Sequence, residues 1–181
     1  MSSLELLETY RPANYRRVVR DGNGYVQTER ITRDRIKKAV AEYSKLTATD
    51  QYARLLRDEI DFWLRRYHGY CIKDNIGAHY REKDLSKKDK VDFEHVIPAA
   101  TIRDMLIQNR ITVEQAMNAP TCLLRRRNHT KLKKLGLASR TPNAYRFWTR
   151  YQDLSVEIET HDKTSIDQGT WTLEDHYAKF L

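Results

Sequence analysis

Cysteine is scarce in this chain of 181 residues: only Cys71 and Cys122 occur, and they form no Cys-x-x-Cys pair. This argues against a disulfide framework and a structural zinc knuckle, although a single bridge between the two cysteines stays open. Residues 1–5 lack a basic stretch followed by an apolar run, so no signal peptide is predicted. No segment is apolar for long enough to span a bilayer. We therefore expect a soluble, cytoplasmic protein without a membrane partner.

Acidic residues are missing from one long stretch. Between Pro120 and Arg150 there are nine lysines and arginines but no aspartate or glutamate, in a chain whose formal net charge is +8. Three aromatic residues, Tyr145, Phe147 and Trp148, are interleaved with these cations. A block of one charge sign that also holds aromatic residues favours nucleic acid as the partner over the alternative, a solvated basic surface.

Two amphipathic helices are predicted in the first half of the chain. The first begins near Thr32, because Ile36, Val40 and Tyr43 fall on one helical face. The second begins at about Asp50. Its broad apolar stripe consists of Leu56, Ile60, Trp63, Leu64 and Tyr67. We expect both stripes to pack in the core.

The stretches before and after these two helices are not predicted to be helical. Residues 15–30 predict an N-terminal β-hairpin, because two short strands, residues 17–20 and 25–28, flank the turn sequence Asp21-Gly22-Asn23-Gly24. Residues 81–92 are polar and dense in charge, which is typical of a linker or a solvated loop.

A strand that ends on an acid-histidine pair is the most informative motif. Residues 93–98, Phe-Glu-His-Val-Ile-Pro, predict such a strand, stopped by Pro98, and residues 122–124 predict a second strand. The second strand leads straight into a basic helix, predicted from about Arg127 to Leu135 and closed by Gly136. A carboxylate and a histidine at a strand end, together with a histidine or asparagine at a helix start, can hold one divalent metal beside a general base.

Shorter helices are predicted around these motifs. Capping-box sequences at Thr101 and Thr112 predict two helices between the strands. Two further helices are predicted to begin near Thr141 and near Thr172.

The motif pair resembles the HNH family of endonucleases, also called ββα-metal or His-Me finger nucleases, of the phage or homing type. In that family two antiparallel strands and a helix surround one metal ion. Residues 94–98 match the end of the family's first strand, and residues 121–129 match the order of its second strand and helix. The resemblance covers residues 91–136. Three features depart from the pattern. Pro120 stands where the family has its middle asparagine, the loop between the two strands is longer than usual, and the cysteine pairs of zinc-containing relatives are missing.

The resemblance implies a role for each matching residue. His95 would be the general base. Asn118, two positions early, would be the orienting asparagine, with absence of this role as the alternative. Glu94 and His129 would bind the metal, with Asn128 as the alternative helix ligand. In a regular strand Glu94 and His95 point to opposite faces, so both serve one site only where the strand bends.

The cofactor implied is one divalent metal ion. Mg²⁺ is the first choice, with Mn²⁺, Ni²⁺ or Zn²⁺ as alternatives, and no structural zinc is expected. Phosphate contacts are expected from the cations around the helix start. They are Arg125, Arg126, Arg127, Lys131, Lys133 and Lys134.

These expectations combine into one prediction. The fold is α+β and mainly helical, with an N-terminal hairpin and helices in residues 1–84, an HNH core in 85–140 and C-terminal helices in 141–181. The function expected is metal-dependent hydrolysis of double-stranded DNA, in the cytoplasm of a cell that could be a phage host, with a homodimer left open. The alternatives are a catalytically inactive nucleic-acid-binding protein of the same fold and an RNA-cleaving nuclease.

Overall fold

Two long helices form one layer of the fold. The computed structural model describes residues 24–47, 49–69, 78–86 and 88–181. Helix α1 spans Gly24–Tyr43 and helix α2 spans Gln51–Gly69, and the two pack against each other. Ile36, Ile60 and Leu64 are fully buried, as their stripes predicted. Each fully buried side chain of this kind stabilises the fold by roughly 1.5–3 kcal/mol.

The second strand of the predicted N-terminal hairpin is wrong. Residues 25–28 lie within α1, which begins at Gly24 rather than near Thr32. Once a helix is nucleated, each added residue gains a backbone hydrogen bond at little cost, so α1 continues through this stretch. The hairpin's first strand and most of its turn lie outside the described residues.

A four-stranded mixed sheet forms the second layer. Its strands are β1 (Tyr80–Glu82), β2 (Val91–His95), β3 (Thr121–Arg125) and β4 (Ile158–Thr160), in the order β2-β3-β1-β4. Strand β1 runs parallel to β3, while the other two pairs are antiparallel. The sheet therefore draws strands from all three predicted segments.

The prediction of a linker over residues 81–92 is wrong at both ends. Arg81 and Glu82 belong to β1, and Val91 and Asp92 belong to β2. Polar residues can form these strands because their charges are paired: Arg81 contacts Glu159 on the neighbouring β4 at 2.9 Å. Only the segment between the two strands remains a loop.

Two helices connect β2 to β3, as predicted. Helix α4 (Val113–Met117) has the predicted capping box, in which Thr112 and Gln115 bond each other's backbone. The capping box at Thr101 is wrong, because α3 (Ala99–Ile107) has Pro98 at its N-cap, three positions before Thr101. The ring of Pro98 restricts φ to a value close to the observed −51°, so the chain turns into the helix there.

Helix α5 (Arg126–Lys134) follows β3 without a connecting loop. Its end confirms the predicted stop at Gly136, whose φ of +70° lies in the left-handed region. The amides of Gly136 and Leu137 donate to the carbonyls of Lys133 and Leu132, which is a Schellman motif. This motif turns the chain back toward the sheet.

From residue 147 onward the C-terminal region contains a 3₁₀ helix (Phe147–Leu154), which contacts α5, and helix α6 (Leu173–Phe180). The helix predicted near Thr141 is wrong, because turns occupy that stretch and helical structure starts only at Phe147. The start predicted near Thr172 is confirmed by a capping box. The described residues thus form a mixed α+β fold, and none of their helices is long and apolar enough to cross a membrane.

Candidate functional site

The site lies where β2, β3 and α5 meet. Strands β2 and β3 pair over five residues, from Val91 opposite Arg125 to His95 opposite Thr121. Helix α5 contacts both strands. Two hydrogen bonds fix the start of α5. The amide of Arg126 donates to the carbonyl of Lys90, and the amide of Arg125 donates to the carboxylate of Glu82. A carboxylate at a helix N-terminus is also stabilised by the helix dipole.

Two carboxylates of β2 flank the imidazole of His129. Nε2 of His129 lies 2.9 Å from Oε2 of Glu94, and Nδ1 lies 3.0 Å from Oδ2 of Asp92. Asp92 and Glu94 share a face because side chains alternate along a strand. The hydrogen bond to Glu94 raises the pKa of His129 above its usual value, burial opposes this, and the bond to Asp92 adds to the increase. Burial would raise the pKa of Asp92, but hydrogen bonds from His129 and Arg126 outweigh it and the pKa is lowered.

A fully buried arginine fixes the other oxygen of Glu94. Nη2 of Arg150 lies 2.5 Å from Oε1 of Glu94, and the arginine side chain has no exposed surface. The rest of the guanidinium group donates to backbone carbonyls at 2.6–2.9 Å. Those carbonyls belong to His95, Val96, Leu137 and Ala138. Arg150 therefore joins the end of β2 to the segment after α5 and leaves Oε2 of Glu94 directed at His129.

His95 points away from this cluster. Strand β2 stays regular through His95, so its side chain projects from the opposite face to that of Glu94. Nε2 of His95 lies 3.0 Å from Nδ1 of His68, near the end of α2. Burial lowers the pKa of His95 well below its usual value, and the nearby His68, Arg65 and Arg150 lower it further. At neutral pH His95 is thus an uncharged imidazole.

The two candidates for the helix ligand have different surroundings. His129 lies beside Glu94, whereas Nδ2 of Asn128 donates to Oε1 of Glu82 at 2.9 Å. Asn128 is buried, and its bond joins α5 to β1. The structure therefore brings Glu94 together with His129 and gives Asn128 a contact in the core.

Asn118 is not brought to the cluster. It caps the C-terminal end of α4, and its Nδ2 donates to the carbonyl of Glu114 in its own helix. Its backbone carbonyl accepts a hydrogen bond from His176. Among the described residues, its side chain has no hydrogen bond to Glu94, His95 or His129.

The six predicted phosphate-binding cations fall into two groups. Arg125 is bound to Glu82 and Asp89, and Arg126 is bound to Asp92, so these two are neutralised within the fold. The other four are exposed and have no ion pair with a described residue. We call them the α5 cations: Arg127, Lys131, Lys133 and Lys134.

The donor set fits a metal site with two protein ligands. Two donors that bind one ion side by side at about 2.1 Å lie roughly 3 Å apart, close to the 2.9 Å between Oε2 of Glu94 and Nε2 of His129. A carboxylate oxygen and an imidazole nitrogen suit Mg²⁺, Mn²⁺ or Zn²⁺. Asp92 lies on the other ring nitrogen and cannot share that ion. Within the described ranges, no group of three or more His, Cys, Asp or Glu side chains is arranged to hold a metal.

Sequence reasoning missed three residues around the cluster. Asp92 could have been found, because it stands two residues before Glu94 and so shares its strand face. Arg150 and His68 gave no local signal, since 56 and 27 positions separate them from their partners Glu94 and His95.

When the chain is compared with family models, curated proteins and solved structures, none of them matches it.

Proposed function

We propose that the protein is a metal-dependent endonuclease that hydrolyses DNA phosphodiester bonds with an HNH-type site. The observation that carries the proposal is the 2.9 Å approach of Glu94 on β2 to His129 on α5. The sequence resemblance predicts these two residues as ligands of one ion, although 35 positions separate them along the chain. Antiparallel β2 and β3 followed at once by α5 is the order of elements that the resemblance predicts.

The four residues of the cluster, Asp92, Glu94, His129 and Arg150, then have chemical tasks, and so does His95 on the opposite face of β2. Glu94 and His129 would hold the ion, which supplies positive charge to stabilise the scissile phosphate and the leaving oxygen. Asp92 accepts a hydrogen bond from Nδ1 of His129 and so keeps Nε2 directed at the ion site. Arg150 holds the second oxygen of Glu94 and limits this carboxylate to one free oxygen. His95, uncharged at neutral pH, would accept the proton of the attacking water.

The α5 cations are the groups suited to DNA. Arg127, Lys131 and Lys134 are spaced four and three positions apart, which places them on one face of α5. Because no described residue neutralises them, phosphates can do so at a small cost in desolvation. The exposed face lies on the helix that also presents His129, so bound phosphate would lie near the cluster.

One observation favours the second candidate, a protein that binds nucleic acid without cutting it. Glu94 and His95 project from opposite faces of β2, and the side chain of Asn118 is bound to its own helix. A site in which base and ligand cannot reach the same phosphate would bind and not hydrolyse.

A comparison of wild-type protein with His95→Ala separates the two candidates. Supercoiled plasmid is incubated with protein in Mg²⁺ or Mn²⁺, and DNA affinity is measured separately by fluorescence anisotropy in chelator. The nuclease proposal predicts metal-dependent nicking by wild type. It also predicts a loss of about 10²–10⁴-fold in rate for His95→Ala with unchanged affinity.

The matched control is His161→Ala, which removes a partly exposed histidine that has no contact with the cluster. Wild-type protein that binds the plasmid but never nicks it would show a binding protein. Cleavage by His95→Ala at the wild-type rate would remove the proposed base. A parallel assay on single-stranded RNA tests the RNA-cleaving alternative.

A further inference from the structure

His68 is a buried histidine to which sequence analysis gave no role, and both of its ring nitrogens are engaged. The residue is 2% exposed and lies one position before the end of α2. Nε2 lies 2.9 Å from the carbonyl oxygen of Met117, and Nδ1 lies 3.0 Å from Nε2 of His95. The residue therefore connects α2, the end of α4 and the candidate base on β2.

The carbonyl group of Met117 determines where the protons lie on the rings of His68 and His95. A carbonyl oxygen only accepts, so Nε2 of His68 must carry a proton and donate it to Met117. Burial lowers the pKa of His68 to about 4, so at neutral pH the ring is uncharged and Nδ1 is bare. A bare nitrogen only accepts, and Nε2 of His95 must therefore be the donor.

The same reasoning extends to the second nitrogen of His95. Because Nε2 of His95 holds a proton and donates it in the hydrogen bond to His68, Nδ1 is the only ring nitrogen that can still accept one. Among the residues that the structure describes, none forms a hydrogen bond with Nδ1 of His95. The basic nitrogen is thus the one left open, as a proton acceptor requires.

We propose that His68 is a positioning residue for His95. Its Nδ1 accepts a hydrogen bond from the Nε2–H of His95, and this bond fixes the orientation of the His95 ring and the tautomer in which Nδ1 is the base. The proposal rests on the proposed nuclease function for its catalytic consequence. The tautomer itself is a property of the folded protein and can be observed whether or not the protein cuts DNA.

Two substitutions of His68 separate positioning from packing. His68→Asn keeps an acceptor, because Oδ1 of asparagine stands the same number of bonds from the backbone as Nδ1 of histidine. His68→Leu fills much of the same space without an acceptor. The matched control is His176→Gln, which alters another fully buried histidine whose ring bonds are to Tyr80 and to the backbone of Asn118.

The first measurement is NMR of full-length protein with ¹⁵N-labelled histidine, with the His95 signals assigned by their loss in His95→Ala. We expect a protonated Nε2 and a bare Nδ1 in wild type, in His68→Asn and in His176→Gln. In His68→Leu we expect both tautomers. A bare Nε2 of His95 in wild type, or an unchanged tautomer in His68→Leu, would overturn the proposal.

The second measurement is the rate of plasmid nicking at saturating metal and DNA. We expect kcat to fall about tenfold or more in His68→Leu and to recover in His68→Asn, with KM for plasmid unchanged in both. Equal losses in His68→Leu and His176→Gln would show that only packing is involved, and would refute positioning. If wild type shows the predicted tautomer but cleaves nothing, the nuclease function fails and the catalytic role of His68 with it, while the pairing of the two rings stands.

Discussion

Replacing the buried Arg150 with methionine is expected to destabilise the protein more than any other single change at the cluster. The substitution leaves Glu94, whose side chain is 7% exposed, without its nearest cation. It also removes the hydrogen bonds that Arg150 donates to four backbone carbonyls. Removing one partner of a buried ion pair costs about 3–5 kcal/mol, and each buried carbonyl left unsatisfied adds to this. The loss is a large share of the roughly 5–15 kcal/mol that a native domain has available.

The assay is equilibrium unfolding in urea, followed by circular dichroism. With a denaturant dependence of about 2 kcal/mol per molar urea, a loss of about 4 kcal/mol lowers the unfolding midpoint by about 2 M. The matched control is Arg126→Met, because Arg126 pairs with Asp92 at 3.0 Å but its side chain is 60% exposed. Exposed pairs contribute about 0–1 kcal/mol, so this midpoint should hardly move.

A double variant tests the cause of the loss. Combining Arg150→Met with Glu94→Gln removes the uncompensated charge, and we expect it to recover about 0.5–3 kcal/mol relative to the sum of the single losses. If Arg150→Met does not fold, Arg150→Lys provides the same test, because lysine keeps the charge for Glu94 but cannot reach four carbonyls. An Arg150→Met midpoint equal to that of Arg126→Met would refute the reasoning.

Three further predictions concern the helix ligand, the α5 cations and the buried histidines. His129→Ala should raise the metal concentration for half-maximal nicking by about tenfold or more. Asn128→Ala should leave that concentration nearly unchanged and lower the free energy of unfolding in urea by only about 1 kcal/mol. A larger effect of Asn128→Ala than of His129→Ala on the metal concentration would place the ligand at Asn128. Replacing three of the α5 cations that share a face, Arg127, Lys131 and Lys134, with alanine should flatten the slope of log K against log salt by roughly one to three units. An equal removal of charge from α1, α2 and the turn between them should not change that slope. An identical effect of the two sets would show only a loss of net charge. The control residues, exposed and without ion pairs to described residues, are Arg35, Lys45 and Arg54. Burial lowers the pKa of His176 to about 4. Below pH 6.5 the unfolded state therefore binds a proton that the folded state does not, and the free energy of unfolding falls by roughly 3 kcal/mol between pH 6.5 and about 4. The urea midpoints of His176→Gln at pH 7 and pH 5 should differ less than those of wild type, and an equal pH dependence would contradict the assignment.

The helices with regular apolar spacing could be predicted because their core positions repeat every three or four residues. Ile36, Ile60 and Leu64 are buried as their spacing predicted. The end of α5 was also predictable, because glycine is favoured at the left-handed position that closes a helix and Gly136 occupies one.

The two short strands β1 and β4 could not be found in the same way. Each has three residues, and β1 reads Tyr-Arg-Glu, which alone indicates no strand. Its charged members are stabilised by distant partners: Arg81 by Glu159 and Glu82 by Arg125. Such pairs depend on the tertiary fold, so the local sequence suggested a loop.

The approach of Glu94 to His129 was predictable from the sequence, but the surroundings of this pair were not. The order of the motifs predicted that Glu94 and His129 lie together, and Oε2 of Glu94 is 2.9 Å from Nε2 of His129. Strand alternation also predicted that His95 would face away from Glu94 unless the strand bends, and β2 is regular up to His95. The contribution of Arg150 depends on folding of the segment after α5, which no local pattern specifies.

The most direct test of the account is exchange of metal for chelator in one nicking reaction, run with wild type, Glu94→Gln and His129→Ala. The account predicts that wild-type nicking of supercoiled plasmid stops with chelator and resumes when Mg²⁺ or Mn²⁺ is added in excess. It also predicts that both variants need much more metal or stay inactive while folded. Nicking by wild type that continues in chelator, or variants that respond to metal as wild type does, would contradict the assignment of Glu94 and His129 as the metal site.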